Sequence, residues 1–169
     1  MQFRPMTLEV TIRPATPADL PAIGHLGAML VREHHEFDPK RFIAPMTNLE
    51  QGYASFIGKQ LTARDTVVLV AEVGGEAAGY VYATVEGFDF MALRGPAGAI
   101  QDIVVDPAHQ RQGIGRKLID AVNAELARRG VPRVVLSTAE QNGTAQRLFA
   151  RAGFRRTMVE MTRELDLAD

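Results

Sequence analysis

A chain of 169 residues has the length of one compact domain, and 46% apolar residues can fill a buried core. The formal net charge of −1 gives no broad basic face for nucleic acid or an anionic membrane, and the lack of cysteine removes disulfides, thiolate nucleophiles and thiolate-held metal. No apolar run approaches the roughly 20 residues of a bilayer span, and Met1 to Thr11 lacks the apolar stretch of a secretory leader, so the expectation is a soluble, cytoplasmic protein with one domain over residues 1–169.

In chain order, Val10 and Ile12 alternate with polar neighbours as in a short strand. Thr16, Pro17 and Asp19 combine a capping hydroxyl, a proline for the first helical position and an acid at the third, and Leu20, Ile23, Leu26 and Leu30 continue a helix on one face. Pro39 and Pro45 punctuate His34 to Pro45, which is expected to be a loop. Leu49, Tyr53, Phe56, Ile57 and Leu61 mark a second helix. The β-branched run from Thr66 to Val73, the Gly74-Gly75 turn and Ala77 to Glu86 predict a hairpin. A loop with Gly95, Pro96 and Gly98 leads to a strand over Ala99 to Val105, ended by Pro107. A helix over Arg116 to Arg129 carries Leu118, Ile119, Val122 and Leu126 and stops at Gly130. A strand over Arg133 to Thr138, a short helix over Asn142 to Ala152 and a last strand through Val159, Met161 and Leu165 complete one mixed α/β domain without repeats.

Chemistry concentrates where the strand ending Asp102-Ile103-Val104-Val105-Asp106-Pro107 runs through Gln110-Arg111-Gln112-Gly113-Ile114-Gly115 into a helix. A helix N-terminus carries unpaired amides and partial positive charge, and glycines let the backbone approach an anion closely. Arg111 and Arg116 add formal charge, so the junction suits a phosphate or pyrophosphate. Gly115 is followed by Arg116-Lys117-Leu118 and not by Lys-Ser/Thr, which rules out a Walker loop, and Leu118 stands where a dinucleotide fingerprint needs glycine or alanine. Taken alone, Gly113 and Gly115 fit a tight strand-to-helix turn equally well.

The segment from Ile100 to Gly115 resembles the acetyl-coenzyme A motif of the Gcn5-related N-acetyltransferase superfamily: Arg or Gln, two residues, Gly, one residue, then Gly or Ala, after a strand ending in valine and proline. Gln110 to Gly115, Val105 and Pro107 match it, and Asn142 to Phe154 resembles that family's second coenzyme-contacting helix with its following Gly-Phe. The resemblance implies a central, mixed, mostly antiparallel sheet flanked by helices, with splayed strands holding acetyl-CoA as cosubstrate. It further implies that Ile103, Val104 and Val105 offer main-chain hydrogen bonds to the pantetheine arm and that the backbone of Gln110, Arg111, Gln112, Gly113, Ile114, Gly115 and Arg116 wraps the pyrophosphate. Asn142, Ala145 and Phe149 would line the other side, Asn142 also serving as a helix cap.

The implied reaction is direct attack of a neutral amine on the thioester in a ternary complex. An alkylammonium must first lose a proton. The tyrosine that usually protonates the departing thiolate is replaced here by Phe149, and Gln101 stands where some relatives place a base. Asp102 and Glu86 are the base candidates, with strand alternation expected to place Asp102 on the face opposite Gln101, Ile103 and Val105. His34 and His35 fall in the region where relatives build the acceptor site, and Tyr82, sharing a face with Tyr80, either walls that site or packs the core. No metal site is expected. The expected function is acetyl transfer to a primary amine of a small molecule. Protein acetylation at an N-terminus or lysine and a non-catalytic acyl-CoA module are the alternatives, and a homodimer through the edge Thr157 to Leu165 is expected by analogy.

Overall fold

The computed structural model describes residues 9–166, so most of the segment assessed above for a leader, Met1 to Leu8, lies outside the described residues. Strand β1 (Val10–Pro14) leads through a single 3-10 turn, Pro17–Asp19, into α1 (Leu20–Phe37). The Asp19 carboxylate accepts from the Thr16 amide at 2.8 Å and from the Arg13 guanidinium at 2.8 and 2.9 Å, so the acid that opens the helix also anchors it to β1. Helix α2 (Leu49–Gln60) follows, then the hairpin of β2 (Thr66–Val73) and β3 (Glu76–Glu86). Gly74 and Gly75 have φ of 59° and 85°, the left-handed pair that a two-residue hairpin turn requires. Strand β4 (Ala97–Val105), helix α3 (Ile114–Arg128), strand β5 (Val134–Leu136) and helix α4 (Gly143–Arg151) complete the regular elements.

The strands lie in the order β1-β2-β3-β4-β5; the first four pair antiparallel and β5 runs parallel to β4. A mixed, mostly antiparallel sheet with helices on both faces is thus the architecture. Each face has its own core. Leu118, Val122 and Leu126 of α3 pack on Val67, Val81, Ala83 and Ile100, while Ile23 and Leu26 of α1 and Ile57 of α2 pack on Val68, Val70, Tyr80 and Val104.

Three expectations are corrected. α1 runs to Phe37, so His34 and His35 belong to its last turn and not to a loop; prolines stop a helix only at the preceding residue, and the first is Pro39. β5 is shorter than Arg133 to Thr138, because its ladder ends at Leu136. The segment Thr157 to Leu165 is exposed and makes no strand, since alternation becomes a strand only where a neighbouring edge supplies the ladder.

Candidate active site

The geometry of the site starts in β4. Its ladder with β5 consists of Gly98↔Val134, Ala99↔Val135 and Ile100↔Leu136, after which the strands part and residues 102–105 keep a partner only on the β3 side. A V-shaped opening results, holding a small cavity lined by Ile100 to Ile103, Leu136, Ser137, Thr138, Asn142, Ala145 and Phe149. Asn142 caps α4 by accepting from the Ala145 amide at 3.1 Å, which leaves its own NH2 group for a ligand. Phe149 is 7% exposed and lies edge-on to Phe154. Val104 points into the α1/α2 core, so it offers the opening main chain only.

Beyond β4 the loop builds a second feature. Among the described residues, the amides of Arg111, Gln112, Gly113, Ile114, Gly115 and Arg116 meet no intramolecular acceptor; the first bond of α3 runs from the Lys117 amide to the Gly113 carbonyl at 3.1 Å. Positive φ at Arg111 (63°) and Gly113 (75°) curls these amides into a concavity of the kind that binds oxyanions. Gly115 lets α4 approach: a β-carbon there would lie 3.0 Å from Leu148. The Arg116 side chain turns away, to Asp120 at 3.0 Å and to the Arg151 carbonyl at 3.1 Å. It braces α3 against α4, and only its amide is left for the concavity.

Asp102 sits where the V opens onto the α1/α2 face. The β3–β4 register slips between Tyr82↔Asp102 and Ala83↔Ile100, leaving Gln101 as the extra residue of a β-bulge. The expectation that Asp102 and Gln101 lie on opposite faces therefore fails: both line a cavity of about 230 Å³ with Leu30, Val31, His34, Phe42 and Ile43. The Asp102 Oδ2 atom accepts from the Tyr53 hydroxyl at 2.9 Å and the Tyr80 hydroxyl at 3.0 Å. Burial pushes the Asp102 carboxyl above the usual carboxylate range, the two phenols opposing it. Both phenols are themselves raised, by burial first and by the Asp102 charge second.

His34 lines this cavity and the opening between β4 and β5, and so joins the two. Its ring stands edge-on between Phe37 and Phe42, and Nδ1 lies 2.8 Å from the Leu30 carbonyl. His35 turns away from both cavities, its Nδ1 being 3.2 Å from the Phe42 carbonyl. Glu86 is engaged elsewhere, bound to Arg94 at 2.6 Å, Thr84 at 2.9 Å and Gln101 at 3.2 Å. Tyr82 is a core residue, 7% exposed and packed edge-on against Phe56. Sequence reasoning missed Tyr53, whose helical spacing marked it only as apolar, and Phe42 and Ile43, which carry no motif. Among the described residues no group of histidines and acids is placed to hold a metal ion, and no helix is long and apolar enough to cross a membrane.

A split mixed sheet with an amide concavity at its third helix and a carboxyl at the apex offers room for an oxyanion beside a second pocket. Residues 27–154 match the family model described as acetyltransferase (GNAT) family, and the chain belongs to that family. A mycothiol acetyltransferase from Thermobispora bispora is 36% identical over 96 residues, 54% of this chain and 31% of that protein. A [ribosomal protein bS18]-alanine N-acetyltransferase from Escherichia coli is 42% identical over 53 residues, 31% of this chain and 36% of that protein. The matches span between 12% and 36% of the length of the curated relatives. Among solved structures, an aminoglycoside N-acetyltransferase in complex with CoA superposes with a TM-score of 0.71 at 18% identity, covering 98% of this chain and 100% of that one, a likeness of fold.

Proposed function

We propose that this protein transfers the acetyl group of acetyl-CoA to a primary amine of a small molecule, by direct attack in a ternary complex. The observation that carries the reading is the meeting of two cavities at Asp102 and His34, one along the unpaired edge of β4 and one beneath Phe42 and Ile43. The free amides of residues 111–116 fit a diphosphate, and the unpaired edge of β4 with the Asn142 amide fits the amide-bearing arm attached to it. When bound, the coenzyme supplies an activated acyl group. Main-chain amides of β4 on the open side would face the thioester oxygen and stabilise the charge that develops there. Asp102 attracts the protonated amine to the end of this channel. Phe149 donates no proton, but a thiolate leaving group of ordinary pKa ~8.5 can be protonated by water.

The relatives named above include enzymes for small molecules and for a protein. The small volume of the open pocket that Phe42 and Ile43 line, about 230 Å³, favours a compact acceptor over a polypeptide. The cytoplasm, where acetyl-CoA is available, is the proposed compartment, and residues 1–169 the proposed single domain. The chain is further proposed to form a homodimer by antiparallel self-pairing of residues 157–165 about Met161. That register sets Val159 opposite Arg163, Thr157 opposite Leu165 and Arg156 opposite Asp166, with no like charges facing.

Thiol release from acetyl-CoA tests the activity, and the protein adds no background because it has no cysteine. Turnover is expected with small amines such as 1,4-diaminobutane or glucosamine and not with an alanyl peptide. Coenzyme A binding without turnover of any amine would leave the non-catalytic reading in place of this one.

A further inference from the structure

We propose that Nε2 of His34 is the atom that takes the proton from the incoming ammonium, with Asp102 holding that ammonium beside it. The inference rests on the acetyl-transfer reading above and assigns the proton acceptor within it. A carbonyl oxygen can only accept, so the contact between His34 Nδ1 and the Leu30 carbonyl at 2.8 Å fixes hydrogen on Nδ1. The lone pair of the neutral ring is therefore on Nε2, at the outer edge of a ring that lines both cavities. Phe37 and Phe42, edge-on with centroids 5.6 and 5.0 Å away, hold the ring in that orientation.

His34 lies in the last turn of α1, where the helix dipole stabilises a cation. Asp102 of β4 is the nearby anion, with Tyr53 of α2 and Tyr80 of β3 bonded to its Oδ2. Arg41 lies over the far ring, its guanidinium 5.0 Å from the centroid of Phe42, and is neutralised by Glu160. On α1 itself, His35 is turned to the Phe42 carbonyl. Asp102 is the counter-charge and not the acceptor because its Oδ2 atom already takes both phenolic hydrogen bonds, which leaves Oδ1 to hold the ammonium. An imidazole is the side chain whose ordinary range brackets neutral pH.

The ammonium gives one proton to Nε2, forming an imidazolium. The freed nitrogen pair attacks the thioester carbon, the C–N bond forms and the C–S bond breaks. The second nitrogen proton ends on the departing sulfur, giving free thiol, and the imidazolium returns its proton to solvent.

The test compares wild type with His34→Gln and His34→Asn in steady-state acetylation of 1,4-diaminobutane, glucosamine and an alanyl peptide across pH, with coenzyme A affinity measured by calorimetry. Asn keeps a donor within reach of the Leu30 carbonyl, so it guards against a folding defect. Expected are unchanged coenzyme affinity, kcat lower by about 10²–10⁴-fold in both variants, loss of the acidic limb of the wild-type pH profile, and partial rescue by added imidazole. Wild-type turnover with an unaltered pH profile in both variants overturns this inference and leaves the acetyltransferase reading standing. No turnover by wild type above buffer with any of the three amines overturns both, whatever the coenzyme affinity.

Discussion

Burial and hydrogen bonding act on Asp102 in opposite directions, and burial prevails. Its carboxyl is raised by loss of water, against two phenolic donors on one oxygen. A carboxyl whose pKa is higher folded than unfolded binds more protons in the native state, so its ionisation lowers stability as pH rises through the folded value. Asp102→Asn removes that charge and keeps an oxygen for one of the two hydroxyls. The variant is expected to melt higher than wild type at neutral and alkaline pH. A gain of about 1 kcal/mol, the usual scale for relieving a functional site, is about 2–4 °C for a domain of this size. The difference should shrink as pH falls into the ordinary carboxylate range, where wild-type Asp102 is protonated in both states. Acetylation is expected to fall in the same variant, because the ammonium loses its counter-charge. Melting curves from acid to alkaline pH check the first part; a variant less stable than wild type at every pH would mean that the Tyr53 and Tyr80 bonds outweigh desolvation. None of this could be read from sequence, where Tyr53 looked like one apolar position of a helix.

Among the elements, the loop into α3 was legible and the strand before it only half so. The two glycines alone fitted a tight turn as well as an anion site, and it was the family resemblance over Ile100 to Gly115 that singled the loop out; the free amides of residues 111–116 are what an anion-binding junction would present. The bulge at Gln101 was not legible. Period-two reasoning assumes one residue per pleat, and an inserted residue leaves no compositional trace in Ala99 to Val105. The end of α1 was placed too early for a related reason: histidine and glutamate fit a loop as well as a solvated last turn. At the loop itself, Gly113 has φ of 75° and open space around the position of a β-carbon. Gly113→Ala adds only left-handed backbone strain, about 1–2 kcal/mol, whereas Gly113→Asp adds the same strain and a negative charge beside the proposed diphosphate. Calorimetric titration with coenzyme A is expected to show a modest loss for Ala and at least a tenfold loss for Asp. Equal affinities for wild type and both variants would place the diphosphate away from this loop.

The whole molecule is a sheet with two separate cores, one under α3 and one under α1 and α2, and the site lies where β4 and β5 stop joining them. The order of elements gave one mixed α/β domain, and the flanked sheet with splayed strands was legible only through the family resemblance; the two cores follow once each hydrophobic stripe has a sheet face to cover. The tail was not, since Val159, Met161 and Leu165 alternate well enough for a strand yet remain 71–90% exposed. Within its own chain this segment is tied through Glu160 to Arg41 and through Arg156 to Glu140, all on the surface. With Met158, four large apolar side chains in twelve exposed residues make a poor solvent face, and pairing with a second copy would bury them without disturbing either cavity. Antiparallel pairing about Met161 sets that residue against its own symmetry mate, which makes Met161→Lys a sharp probe: two ammonium groups would face each other at the centre of the interface. Sedimentation is expected to show a dimer for wild type at micromolar concentration and a monomer for Met161→Lys, with coenzyme A affinity the same in both because the amide concavity belongs to one chain. A wild-type protein that sediments as a monomer at every concentration would remove the pairing, and a dimer that survives Met161→Lys would move the interface elsewhere on the surface.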